Sequence, residues 1–219
     1  MKKTLLLLAL LVTTSALFAQ EKKKTVPAKP GSMQQQRDPK SASPSQAKPD
    51  GNNQDLTQAV MMEYMKPGPN HQKLAATSGE WKESIVMWMS PDAPPVKYAA
   101  NCVISMILDG RYQEAIHSGN FDGMEFYGHG IIGYDNAIRK YVSIWYDNMG
   151  TGIMYTEGTY DEKAQTITFT GEMVDPMLRK KVKVREVLTL KSDNEQMFEM
   201  YVTPPDGKEY KSMEIVMIR

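Results

Sequence analysis

Thr166-Ile167-Thr168-Phe169-Thr170-Gly171-Glu172-Met173, followed after a short polar turn by Lys181-Val182-Lys183-Val184-Arg185-Glu186-Val187-Leu188-Thr189-Leu190, alternates apolar and polar side chains with a period of two. Successive residues of a β-strand point to opposite faces, so this is the pattern of strands with one covered face and one wet face. Ile167, Phe169, Gly171 and Met173 fall on the covered side of the first segment, and Val182, Val184, Leu188 and Leu190 on that of the second. The threonines and the basic row Lys181, Lys183 and Arg185 fall on the other side.

Working outward from this pair, the same period recurs from Pro67 to the C-terminus. It predicts ten strands: 81–89, 98–108, 111–118, 124–133, 140–147, 153–160, 166–173, 181–190, 197–203 and 211–218. Met124, Phe126 and Ile132 read inward on the fourth, with Gly128 and Gly130 leaving room or marking a bend; 141–146 is apolar on both faces and has no readable inner side. Asp109-Gly110, Asp135-Asn136, Thr151-Gly152, Asp161-Glu162, Asp193-Asn194 and Asp206-Gly207 separate the runs. These residues tolerate positive φ or cap their own turns, so sequence neighbours should pair as hairpins. Ten twisted strands in an open sheet would leave two sticky edges; an antiparallel up-and-down β-barrel removes them and can enclose a ligand. A short helix over 70–76, after Pro69, is predicted to plug the barrel. A membrane-spanning barrel needs an apolar outer band, which the basic row contradicts.

Upstream the character changes. Residues 1–19 run from Lys2-Lys3 through an apolar stretch (Leu5 to Val12) to Ala16-Leu17-Phe18-Ala19, the layout of a secretory signal peptide cleaved after Ala19. The uncharged run is shorter than the roughly 20 residues that span a bilayer. Export follows as the expectation, to the periplasm or the medium, with no stable membrane span after cleavage. Residues 20–66 are rich in Lys, Gln, Pro and Ser and read as a disordered tether, with a short helical turn over 56–65. This arm carries 8 basic against 5 acidic residues, while the barrel domain, 67–219, carries 16 against 21. The basic arm is a spacer, or a contact for anionic envelope surfaces.

The whole chain has 26 basic and 26 acidic residues, which gives no basic surplus for nucleic acid. The single cysteine, Cys102, excludes an intrachain disulfide and any multi-cysteine zinc site.

Pro67-Gly68-Pro69-Asn70-His71 with Leu74, Gly79-Glu80-Trp81, Asp109-Gly110-Arg111-Tyr112, the run from Gly128-His129-Gly130 to Gly133-Tyr134-Asp135, the run from Tyr141 to Trp145-Tyr146-Asp147, and the closing Arg219 occur in that order. In these motifs the chain resembles a bacterial calycin-like family carried as a domain of unknown function, distantly similar to lipocalins, fatty-acid-binding proteins and nitrobindin-like proteins. The resemblance covers 67–219. It implies a calycin-like barrel with Gly-x-Trp on its first strand and a late arginine over that tryptophan at the closed end, here Trp81 and Arg219 as the structural base. Nitrobindin-like proteins hold haem through a late histidine. Residues 181–219 contain none, so haem of that type is not expected, nor any other cofactor.

No catalytic signature stands out. His71, His117 and His129 lack metal-motif spacing, so a metal site would need long-range convergence and none is expected. His117 is expected at a strand end, and Cys102 lies in an apolar run where a thiol is usually inert. Gly128-x-Gly130-x-x-Gly133 copies a dinucleotide fingerprint but lacks the following helix. Glu83 and Glu186 share the parity of inward residues and are candidate buried acids. With 17 methionines available for an adaptable interior, the reading is a binding protein for a small hydrophobic or amphipathic ligand. Met87, Phe126, Trp145, Phe169, Glu186 and Met217 are the expected lining. The competing readings are an interaction module with a filled barrel, and an enzyme using Glu186, Glu83 or Arg111.

Overall fold

The computed structural model describes residues 51–205 and 207–219, with side chains from Asp55 onward. The expected signal peptide, most of the tether and Asp206 lie outside the described residues. Helices α1 (Gly51–Met65) and α2 (Pro69–Ala75) precede strands β1 (Gly79–Met87), β2 (Val96–Ile107), β3 (Tyr112–Phe121), β4 (Met124–Asp135) and β5 (Lys140–Asp147). These are followed by β6 (Met154–Asp161), β7 (Thr166–Asp175), β8 (Lys180–Ser192), β9 (Glu195–Thr203) and β10 (Tyr210–Ile218). Every strand pairs antiparallel with its sequence neighbour, and β1 pairs with β10 to close the barrel. The up-and-down barrel and its plug helix are therefore the observed architecture.

The hairpins show why short turns suffice. Asp122 and Gly123, both at positive φ (55° and 91°), join β3 to β4 as a two-residue turn whose twist matches that of the strands. Three longer turns share one device. Asp135, Asp161 and Asp175 each accept backbone N–H bonds through Oδ1, and the residue four places on (Arg139, Gln165, Arg179) takes a left-handed φ of 51° to 55°.

Strand parity assigns the inner face. Trp81, Glu83 and Ile85 are buried on β1, Ala100, Cys102 and Ile104 on β2, and Val182, Val184, Glu186 and Leu188 on β8, with exposed residues between nearly all of them. Trp145 turns inward on β5, the strand whose faces the sequence left undetermined, because its ring lies over side-chain-free Gly128. A Cβ built there would stand 2.6 Å from the indole. The paired glycines thus make space for an aromatic ring in a meander, and the dinucleotide likeness is a coincidence of spacing. Met124 departs from expectation: it has inward parity but is 59% exposed, since it adjoins the Asp122-Gly123 turn at the barrel's rim.

One end of the barrel is packed shut. Leu74 of α2 sits in a cluster with Tyr141, Ile167, Phe169 and Leu188, inward residues of β5, β7 and β8. Gln113 holds the helix from inside, its Nε2 donating to Leu74 O and to Thr77 Oγ1, each at 2.7 Å. The Arg219 guanidinium lies 4.4 Å from the Trp81 ring centroid and donates to the carbonyls of Ala76, Ser78 and Asp193. Trp81 Nε1 donates to Thr77 O at 3.0 Å. The end of α2, the start of β1 and the β8–β9 turn are thereby tied to the last residue of the chain.

Helix α1 falls within the segment expected to be tether. Its described side chains are exposed throughout, in keeping with a stretch that buries little. Among the described residues, no helix is long and apolar enough to cross a membrane.

Candidate functional site: the half-open lumen

At the end opposite α2 the inner wall is incompletely covered. Ser143, Trp145, Met200, Met213 and Ile215 all face inward yet keep part of their surface accessible. The plug half, by contrast, holds Trp81, Tyr141, Ile167 and Phe169 at 2% exposure or less. The interior is thus packed beside α2, and part of the inner wall farther along stays accessible.

Its β2–β5 wall is an aromatic array. Tyr98 stacks on Phe121 (4.4 Å between centroids), Phe121 on Phe126 (4.5 Å), Phe126 lies alongside Trp145 (6.4 Å), and the Trp145 ring meets the edge of His117 at 5.1 Å. Offset aromatic pairs of this kind offer a flat, polarisable surface for an apolar or ring-bearing guest. The expected lining residues Phe126 and Trp145 belong to it; Met87 lies at the same end, opposite Met213. Phe169 and Met217, expected to line or border the space, lie deeper. Each is at least 95% buried in the packed clusters of the plug half, so they border the lumen as its floor.

Two carboxyl groups lie buried on the inner wall, and each reaches across an intervening strand. Glu186 of β8 accepts a 2.8 Å hydrogen bond from Thr156 Oγ1 of β6, passing over β7 where Gly171 has no side chain to obstruct it. Burial pushes its pKa up to about 7, opposed in part by the Thr156 bond. Glu83 of β1 reaches over Ala100 of β2 to His117 of β3, with Nδ1 standing 3.0 and 3.1 Å from the two carboxylate oxygens. A carboxylate only accepts, so Nδ1 is the donor in this contact. Cys102 Sγ lies 3.7 Å from Nε2. Burial, with Glu83 adding to it, raises the Cys102 pKa far above that of a free thiol.

The inward parity of Glu83 and Glu186 was readable in the sequence; Tyr98, Phe121 and the convergence of His117 with Cys102 were not assigned. His117 lies within β3 and not at its end, because β3 extends to Phe121. A signal was present. Folding β2 onto β3 symmetrically about Asp109-Gly110 places Cys102 opposite His117, as observed.

The other histidines serve elsewhere. His71 Nδ1 accepts the Gly68 N–H at 3.0 Å at the start of α2, and His129 stacks on Tyr146 on the outer wall. A cleft of about 270 Å³ outside the lumen is lined by Met65, Pro67, His71, Arg111, Tyr134 and Asn136. Its polar groups are spent on the chain itself, with Arg111 donating to Met65 O and Leu108 O and Asn136 to Tyr64 O and Lys66 O. It anchors the link between the helices.

A family profile described as "Protein of unknown function (DUF1579)" matches residues 66–219, and the chain belongs to that family. No curated protein matches the sequence. Among solved structures, the crystal structure of Rv2717c from M. tuberculosis is similar, with a TM-score of 0.54 and 14% identity over 70% of this chain and 99% of that one. A redesigned beta barrel, b11L5F_LGL, aligns with a TM-score of 0.35 and 16% identity over 67% of this chain and 93% of that one. At this identity the first likeness speaks for the barrel fold alone.

Proposed function

We propose that this member of a family without assigned activity is a binding protein that holds a small amphipathic molecule in the open half of its barrel. The observation that carries this reading is a set of inward side chains away from α2 (Trp145, Met200 and Met213 among them) that retain accessible surface beside an aromatic wall. The apolar body of the guest lies against Phe126, Trp145 and the methionines Met87, Met200 and Met213, and its polar group meets Glu186 and Thr156. Adaptable thioethers suit a guest of approximate shape.

The calycin-like relationship belongs to the same proposal, supported by Gly79-Glu80-Trp81 and by Arg219 stacked on the indole. So does export, supported by the Lys2-to-Ala19 layout, with the basic arm of the mature chain as a contact for anionic envelope surfaces.

Native mass spectrometry of the protein purified from its own host tests the function. A co-purifying small molecule, released on denaturation, is the expected result. A bare chain whose melting temperature no lipid-like or aromatic compound shifts would refute it.

A further inference from the structure

Glu83, Cys102 and His117 each offer one ligand atom, and these atoms all lie within 4.8 Å of one another inside the barrel. The proposed guest uses none of the three, and the site stands whether or not the lumen takes an organic ligand. We infer that Cys102 Sγ, a ring nitrogen of His117 and a carboxylate oxygen of Glu83 bind one divalent ion of the zinc type.

The donor set decides the kind of ion. Thiolate, imidazole and carboxylate together suit a borderline-soft, four-coordinate cation; magnesium and calcium take oxygen ligands and would leave the sulfur unused. With metal–ligand bonds of about 2.0 to 2.3 Å, the donors of a tetrahedral site stand roughly 3.3 to 3.7 Å apart. The imidazole-to-thiol spacing here is 3.7 Å and the imidazole-to-carboxylate spacing 3.0 Å, made by the two different ring nitrogens. The donor atoms lie within 4.8 Å of one another, and a swing of the imidazole or of the Glu83 carboxylate brings all three onto one ion. Three protein donors leave a fourth position for water or a guest molecule, the arrangement of reactive rather than purely structural zinc sites.

The strands that carry the three donors are already in register. Cys102 and His117 are register partners on adjacent strands, Glu83 arrives over the small Ala100, and the Trp145 ring fixes the imidazole from the side. His117 retains 12% side-chain exposure against 1% for Glu83, which makes the imidazole edge the way in for the ion. Loading replaces the Sγ–H bond by an Sγ–metal bond, releases that proton to solvent, and exchanges the Glu83–His117 hydrogen bond for two bonds to the metal. A nucleophilic role fits the geometry less well, because a thiol with no exposed surface cannot approach a carbonyl, whereas an ion only takes the place of its proton.

The full chain, stripped with a chelator, is titrated with Co²⁺ and then with Zn²⁺. One equivalent of cobalt should produce a thiolate-to-metal charge-transfer band, and zinc should abolish it. Cys102 is the sole cysteine, so the band reports on this site alone. Cys102→Ser should remove the band, and His117→Gln should weaken binding about 100-fold or more, with β circular dichroism unchanged. X-ray absorption of the zinc-loaded, unmutated protein gives a reading free of any folding defect, and it should show one sulfur in the coordination sphere. Absence of the charge-transfer band at stoichiometric cobalt, its persistence in a folded Cys102→Ser variant, or a zinc site without sulfur would overturn the assignment.

Discussion

Glu186 and Thr156 are joined by a 2.8 Å hydrogen bond although their strands are not neighbours; the bond crosses β7 at Gly171. A carboxyl held this way prefers its proton, because Thr156 is a single donor against full desolvation.

The pH dependence of stability follows from that preference. The folded-state pKa of about 7 lies above the ordinary carboxyl value of 4.5, so the native state binds more protons than the unfolded state in that window. The stability due to protonation is fully present below about pH 4.5 and is lost as pH rises through about 7, by roughly 3 kcal/mol. Thermal melts between pH 4 and 8 should show this decline, and Glu186→Gln should flatten it. A decline that persists in the variant would point to another group.

Trp81 closes the barrel base, and its removal leaves a cavity beneath α2. Trp81→Ala should cost about 3 to 5 kcal/mol, and Arg219→Ala less, about 1 to 3 kcal/mol. Urea titrations monitored by circular dichroism measure both; an unchanged midpoint for Trp81→Ala would contradict the packing described.

Gln113 satisfies the last turn of α2 from the barrel interior. Gln113→Leu preserves volume but removes the Nε2 bonds to Leu74 O and Thr77 Oγ1, while Leu74 O keeps those from Thr77, and should destabilise by about 0.5 to 1.5 kcal/mol. Hydrogen exchange in α2 should quicken in this variant while β7 and β8 remain protected.

An apolar fluorescent probe should enter the open half with micromolar affinity, about −8 kcal/mol. Enlarging Gly171 is not a clean block, since a Cβ there would stand 2.6 Å from Tyr155 O and strain the backbone. Ser143 already carries a Cβ, faces inward and is partly accessible, so Ser143→Phe should exclude the probe while the melting temperature holds. Undiminished binding in Ser143→Phe would place the probe outside the lumen.

The β-barrel was legible because one face of most strands is wet: on β8 the alternation of Lys181, Lys183 and Arg185 with Val182 and Val184 admits a single register. On β5 the outer face carries Val142, Ile144 and Tyr146, so polarity could not say which side Trp145 takes; the glycines of the neighbouring strand decide it. The acids could be placed on the inner wall but not partnered. The contacts of Glu83 with His117 and of Glu186 with Thr156 each depend on the stagger of three strands at once. The depth of Phe169 and Met217 was hidden for a different reason: it depends on how Leu74 packs on the first and Trp81 on the second, which strand periodicity does not encode.

The closure of β1 on β10 also has a kinetic side. All other strand pairs join sequence neighbours and zip locally, whereas this seam unites the two ends of the domain and bears the largest loop-closure cost. Arg219, bonded to Ala76 and Ser78 ahead of β1 and to Asp193 in the β8–β9 turn, is a stitch across that seam and is expected to form late. Interactions absent from the folding transition state govern the rate of unfolding and hardly touch the rate of folding. Loss of the Arg219 contacts should therefore shorten the time for which the closed barrel stays shut while leaving its rate of closing nearly unchanged.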